Sequence, residues 1–417
     1  MMTGASKRSK RNRAPAMWSL SLLFFGLLAV LPAAGAQAAS SDEGMLLAGG
    51  LDQLNGPMTT AEYYNFKTAA FSCKFLGGVN AAAGACKNTL ATARFYASVA
   101  PLSSGGVLIA GGNSTGVTCL NSAEIYNPST GRFTPTATSM TDAHCFAHTT
   151  TVLTNGWVLI TGGEDTTGNI VNTADMYNPA TGFTCSTLGG VSATTGYCTN
   201  TMTDVRFLDT ATLLKNGSVL IAGGNDGSIV NTAELFNPVA GTFTATGTMT
   251  DSRENHTAAL IVTGSNSGDV LIAGGIDAAG NVLQTAELYS PTAGTFAATG
   301  TMTHPRYLHT ATQLSTGNIL ITGGEDATGA VLATAEVYDP VAATFASVSS
   351  MTTARALHTA VLITSGPKKG SVLIAGGIDN NGNTLGTAEL YNPKTGKFTA
   401  AGSMELGRSS QDGTALP

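Results

Sequence analysis

Arginine recurs at one slot of this chain, as Arg94, Arg206, Arg253, Arg306, Arg355 and Arg408. Counting back from a recurrent Gly-Gly, the one copy without Arg has Cys145 there. Guanidinium forks bind carboxylate, sulfate and sugar-acid groups bidentately, so a ring of such arginines suits an anionic ligand. A second recurrent charge stands two positions past each Gly-Gly: Asp52, Asp165, Asp226, Asp277, Asp326 and Asp379, with Ser114 in the remaining copy. Equal numbers suit a structural collar equally well, each Arg pairing with a nearby Asp. Ser114 then leaves Arg94 without an acid of its own repeat, which singles out Arg94, and next Arg206, as the arginines freest for a ligand.

Three residues past the Arg slot stand Ala97, His148, Asp209, His256, His309, His358 and Gln411. A metal needs ligands converging within about 2 Å of one ion, and repetition spreads these side chains around a ring. Each His is expected to hydrogen-bond within its own repeat, and no metal or other cofactor is expected. No P-loop or HExxH motif occurs, and no catalytic residue is assigned. The cysteines are more specific. Cys73 and Cys86, and Cys185 and Cys198, bracket two copies of one insertion containing Leu-Gly-Gly-Val, which predicts two disulfide-closed loops. Cys119 and Cys145 fall on one rim and form a plausible third pair.

The elements that must position these residues follow from the repeat. A short apolar run ending in Gly-Gly recurs seven times, from Gly49-Gly50 to Gly376-Gly377. Each is followed by a turn and a second signature, such as Ala233-Glu234-Leu235-Phe236 or Ala388-Glu389-Leu390-Tyr391. A third element, such as Gly241-Thr242-Phe243-Thr244-Ala245, follows an Asn-Pro or Asp-Pro turn, and the Arg-bearing segment forms a fourth. Four short strands cannot bury both faces of their own sheet, so the units must stack. Val219-Leu220-Ile221-Ala222 lacks polar alternation, as a strand covered on both faces should.

Arranged in this way, the chain from Gly44 to Leu416 resembles the kelch repeat: a strand ending in Gly-Gly, a Tyr in the next strand and an aromatic in the one after. The later aromatic, usually Trp in that family, is Phe133, Phe243, Phe296, Phe345 and Phe398 here. The resemblance implies an all-β, seven-bladed β-propeller with four antiparallel strands per blade. The first blade lacks a strand before Met45, and Arg408 to Leu416 repeats the missing template, so the C-terminal strand is expected to close the ring. The propeller is also similar to that of galactose oxidase and glyoxal oxidase. Their copper chemistry needs a Tyr-His dipeptide, which does not occur in this sequence, and Cys145 with Tyr177 is the best match to their cross-link.

Lys7 to Arg13 is basic, Met17 to Leu31 apolar, and Ala36-Gln37-Ala38 a small-residue cleavage signal, so residues 1–38 read as a signal peptide and 39–417 as one propeller. No membrane span is expected after cleavage, and export to the periplasm or outside the cell suits paired cysteines. Cleavage removes five of the 20 basic residues and none of the 26 acidic ones, leaving a net charge of −11, which argues against nucleic acid as partner. The expected function is that of a secreted, monomeric binding module for a glycan, peptide or protein. A copper-radical or other carbohydrate-active oxidoreductase, and a structural surface protein, are the alternatives.

Overall fold

The computed structural model describes residues 44–54, 56–80, 85–114, 118–410 and 412–415. The predicted signal segment 1–38, Gln411 and Leu416 lie outside the described residues. Seven four-stranded antiparallel sheets form a ring of blades, as expected. In the fourth blade the inner strand is Thr210–Leu213, the second Val219–Ala222, the third Ala233–Asn237 and the outer Thr242–Ala245. Among the described residues no helix is long and apolar enough to cross a membrane.

Each second strand is buried along its whole length, and its side chains pack between blades rather than within one. Leu220 and Ala222 of the fourth blade share a cluster with Val270, Ile272 and Tyr289 of the fifth, plugged by Met249 from the connector. Burying an aliphatic side chain of this size contributes roughly 1.5–3 kcal/mol, which is why a blade needs its neighbours. The aromatic signature forms a cross-strand pair in every blade. Ring centroids lie 4.8–5.0 Å apart, from Tyr64–Phe71 to Tyr391–Phe398.

The paired glycines are required twice over. Gly223 has φ 66° and Gly224 φ 92°, and added Cβ atoms would meet the carbonyl oxygens of Arg253 at 2.5 Å and Phe207 at 2.6 Å. A side chain at either position would be both strained and obstructed.

The ring closes as predicted. The C-terminal strand Asp412–Ala415 pairs with Gly44–Ala48, with Met45 opposite Ala415 and Leu46 opposite Thr414, and becomes the inner strand of the first blade. Disulfides join Cys73 to Cys86, Cys119 to Cys145 and Cys185 to Cys198. The two duplicated loops fold alike: Asn88 donates to Gly131 O at 2.6 Å and Asn200 to Gly241 O at 2.7 Å, so each clasps the following blade.

Candidate functional site

All six arginines of the recurrent slot are fully buried. Nη1 of Arg306 donates to Gly323 O at 2.7 Å and Thr334 O at 3.2 Å, while Nη2 pairs with Glu336 Oε1 at 2.9 Å. Glu336 also accepts the backbone amides of Thr303 and His304. Arg94, Arg206, Arg253, Arg355 and Arg408 repeat the arrangement with Glu124, Glu234, Glu287, Glu389 and Glu62 at 3.0–3.2 Å. Each pair ties the start of an inner strand to the end of the second strand and the start of the third.

The partner acid therefore differs from the one expected. It is the Glu of the Ala-Glu signature, and Arg94 is not free, since Glu124 holds it at 3.2 Å. The post-Gly-Gly aspartates cap their own loops instead: Asp277 Oδ1 accepts the amides of Ala279 and Asn281, and Oδ2 the side chain of Asn281. These bonds hold Asp277 and Asp326 below the usual carboxylate range, and the bonds around Asp165 outweigh its burial to bring it to about 2. The signal that could have found the pairing was present, because an acid stands in the Ala-Glu position of all seven repeats.

In the third blade the Arg slot is occupied by His144 rather than Cys145. Five residues run from His144 to His148 where four run from Arg206 to Asp209. His144 Nδ1 bonds Gly162 O at 2.7 Å and Nε2 faces Asp175 Oδ2 at 3.2 Å, the same two partners the arginines take. Burial pulls the imidazole down, but the hydrogen bond and charge of Asp175 outweigh it, and its pKa is raised. Cys145, one residue on, pairs with Glu164 across the rim and is bonded to Cys119.

The histidines of the next slot bond across blades through Nε2, besides the contacts that His148, His256 and His358 make with the backbone of Cys145, Arg253 and Arg355 in their own. His148 Nε2 meets Ser98 Oγ at 2.8 Å, and His256, His309 and His358 meet Thr210, Thr257 and Thr310 at 3.0 Å. Burial keeps all four neutral, pulling His148 and His256 down to about 3. Asp209 interrupts this ring. It is buried with neither carboxylate oxygen partnered among the described residues, and burial, opposed by Arg206, raises it to about 7. Ala97, also in this slot, is buried.

Above the collar, isolated bridges join each inner segment to the loop after its Gly-Gly and form the wall of the channel mouth. The pairs include Phe95 with Asn113, Cys145 with Glu164, Phe207 with Asn225, Glu254 with Ile276 and Tyr307 with Glu325. Below them runs a neck of left-handed residues: Tyr96, Ala147, Leu208, Asn255, Leu308, Leu357 and Ser410, with φ 50–59°. Leu357 N bonds Leu308 O, Leu308 N bonds Asn255 O, Asn255 N bonds Leu208 O and Leu208 N bonds Ala147 O, which links blades seven to three. Left-handed backbone costs a bulky residue of order 1–3 kcal/mol, and these blade-to-blade bonds help hold it.

Residues 366–405, in the seventh blade, match the family model of the Kelch motif. Together with seven blades of one four-stranded unit, that decides the family. The chain is a kelch-repeat propeller. No curated protein matches it.

Kelch propellers serve as protein-interaction modules, and the oxidases that share this architecture add copper. The residues here do not fit that group. Cys145 is joined to Cys119 and not to Tyr177, and among the described residues no three His, Cys, Asp or Glu side chains are placed to hold a metal. A cavity of about 350 Å³ opens instead on the outer wall of this kelch ring, lined in part by Phe71, Leu390, Ala401 and Lys368 at the seam between blades seven and one. It lies on outer strands, away from the channel mouth.

Proposed function

We propose that this propeller is an exported, non-catalytic interaction module that holds its partner on the channel-mouth face. The observation that carries the reading is convergence: the wall pairs and the loops after each Gly-Gly bring side chains from every blade to one concave end. The three disulfides are compatible with an oxidising compartment outside the cytosol. The six arginines are assigned to holding this face in shape, since a guanidinium buried against Glu has no surface to offer a ligand. A peptide, protein or glycan lying across the mouth would meet the wall and loop residues instead. Arrays of glycans and peptides probed with the purified chain test this. Partners found should be lost when Ala279→Trp and Ala327→Trp obstruct the mouth-side loops, and kept when Val341→Trp alters a turn at the opposite end; the reverse pattern sinks the assignment.

A further inference from the structure

The loops after the seven Gly-Gly pairs contain no Lys, Arg or His. They carry instead Asp52, Asp165, Asp226, Asp277, Asp326 and Asp379, and the wall adds the half-buried Glu164 and Glu254, with Glu325 buried beneath and bonded by the Tyr307 hydroxyl. The arginines beneath do not offset this charge, because each is already neutralised by its own Glu. The mouth-side loops therefore carry a surplus of carboxylates, whose field attracts cations.

Two further observations point the same way. Aromatic rings share the wall with the carboxylates: Phe95, Tyr96 and Phe146 form one cluster with the Cys119–Cys145 bridge, and Phe207 and Tyr307 stand partly exposed further round. Phe146 lies 5.1 Å from Tyr96 and 6.2 Å from Phe95. In the neck just below, Asn255 Oδ1 and Ser410 Oγ are buried with no hydrogen-bond partner among the described residues. A buried acceptor left unpaired costs free energy that a donor arriving from outside would recover. Carboxylates beside aromatic faces, over unused acceptors, suit a guanidinium or ammonium group on an apolar stem.

The geometry points to the mouth as a binding site for a basic peptide segment, with an Arg or Lys side chain entering by Glu164 and Glu254 over the aromatic wall and its donors reaching the neck at Asn255. This rests on the proposed use of the mouth face and adds the charge and class of the partner. It reverses the anionic ligand that the arginine pattern suggests on its own.

Titration calorimetry of the intact chain with a short peptide of alternating arginine and glycine, and with its glutamate counterpart, tests the inference. The arginine peptide should bind, with an affinity that falls as salt rises, and the glutamate peptide should not. The double variant Glu164→Gln, Glu254→Gln, checked for an unchanged fold by its melt, should weaken binding about tenfold or more. Asp269→Asn, in an inner-to-second-strand turn at the opposite end, should leave it unchanged. No binding of the arginine peptide, or equal binding by the double variant, overturns the inference. So does concentration-dependent self-association of the parent that the double variant loses, since the occupant is then a second copy. An acidic or neutral partner that the mouth-obstructing substitutions displace would overturn the basic-peptide inference and leave the proposed function standing.

Discussion

A buried guanidinium without its carboxylate is among the more costly defects a fold can carry, and the collar makes six such pairs. Arg306→Met should destabilise the ring by about 3–5 kcal/mol because Glu336 is left charged and buried. Arg94→Met should cost a similar amount, and combining Arg306→Met with Glu336→Gln should recover part of the loss in denaturant titrations. Asp209 makes the opposite case. Its folded pKa of about 7 lies above the usual value near 4, so the folded state holds a proton that the unfolded chain has lost. Its favourable share of stability is full below about pH 4 and is lost as pH rises through about 7. Asp209→Asn should therefore raise Tm at about pH 8 and leave it nearly unchanged at about pH 4. A gain of equal size at both would mean that the carboxyl does not titrate as assigned.

The inner strands and their connectors carry most of the design. Each connector is pinned by the motif acid, by the carbonyl before the third strand and, in the neck, by backbone bonds to the next blade. The two disulfide loops lengthen the connectors of blades one and three, and each still ends on an Asn that clasps the blade beyond. A bridge with sequence separation 13 contributes roughly 3 kcal/mol by restricting the unfolded chain. Cys185→Ser with Cys198→Ser should lower stability by about that amount, read as a lower denaturant midpoint with a somewhat steeper slope, since the uncrosslinked unfolded chain exposes more surface. Peptide mapping without reduction should recover all three pairs, Cys119 with Cys145 included.

For the whole molecule, closure is the cooperative event. The strand Asp412–Ala415 and the Arg408–Glu62 pair join the two ends of the ring, so removing residues 408–417 exposes the edge of Gly44–Ala48 and strands a buried Glu. The truncated chain should melt well below the intact one and aggregate through that edge. An unchanged Tm would mean that the seven blades do not depend on closure. Charge is distributed at the same scale. The acids that face water cluster in the mouth-side loops, while Lys215, Lys368, Lys369 and Lys394 sit in turns at the other end.

Blade number, strand order and the site of closure were legible in the sequence, because they follow from local patterns: an unbroken apolar run for the covered strand, Gly-Gly where the chain must turn left-handed, and one missing strand at the start matched by a spare one at the end. The duplicated Cys spacing marked two disulfide loops for the same reason, since each is closed within a single connector. The partners of the arginines were not legible. Periodicity reports what recurs in a blade but not which recurring residues meet, and the Glu of the third strand reaches Arg only once the inner strand lies across the blade. A one-residue insertion hid His144 from counting at fixed spacing and put Cys145 in its place. The sign of the mouth was decided last, by burial: the cations of the pattern face inward onto Glu, and the acids are what remain in water.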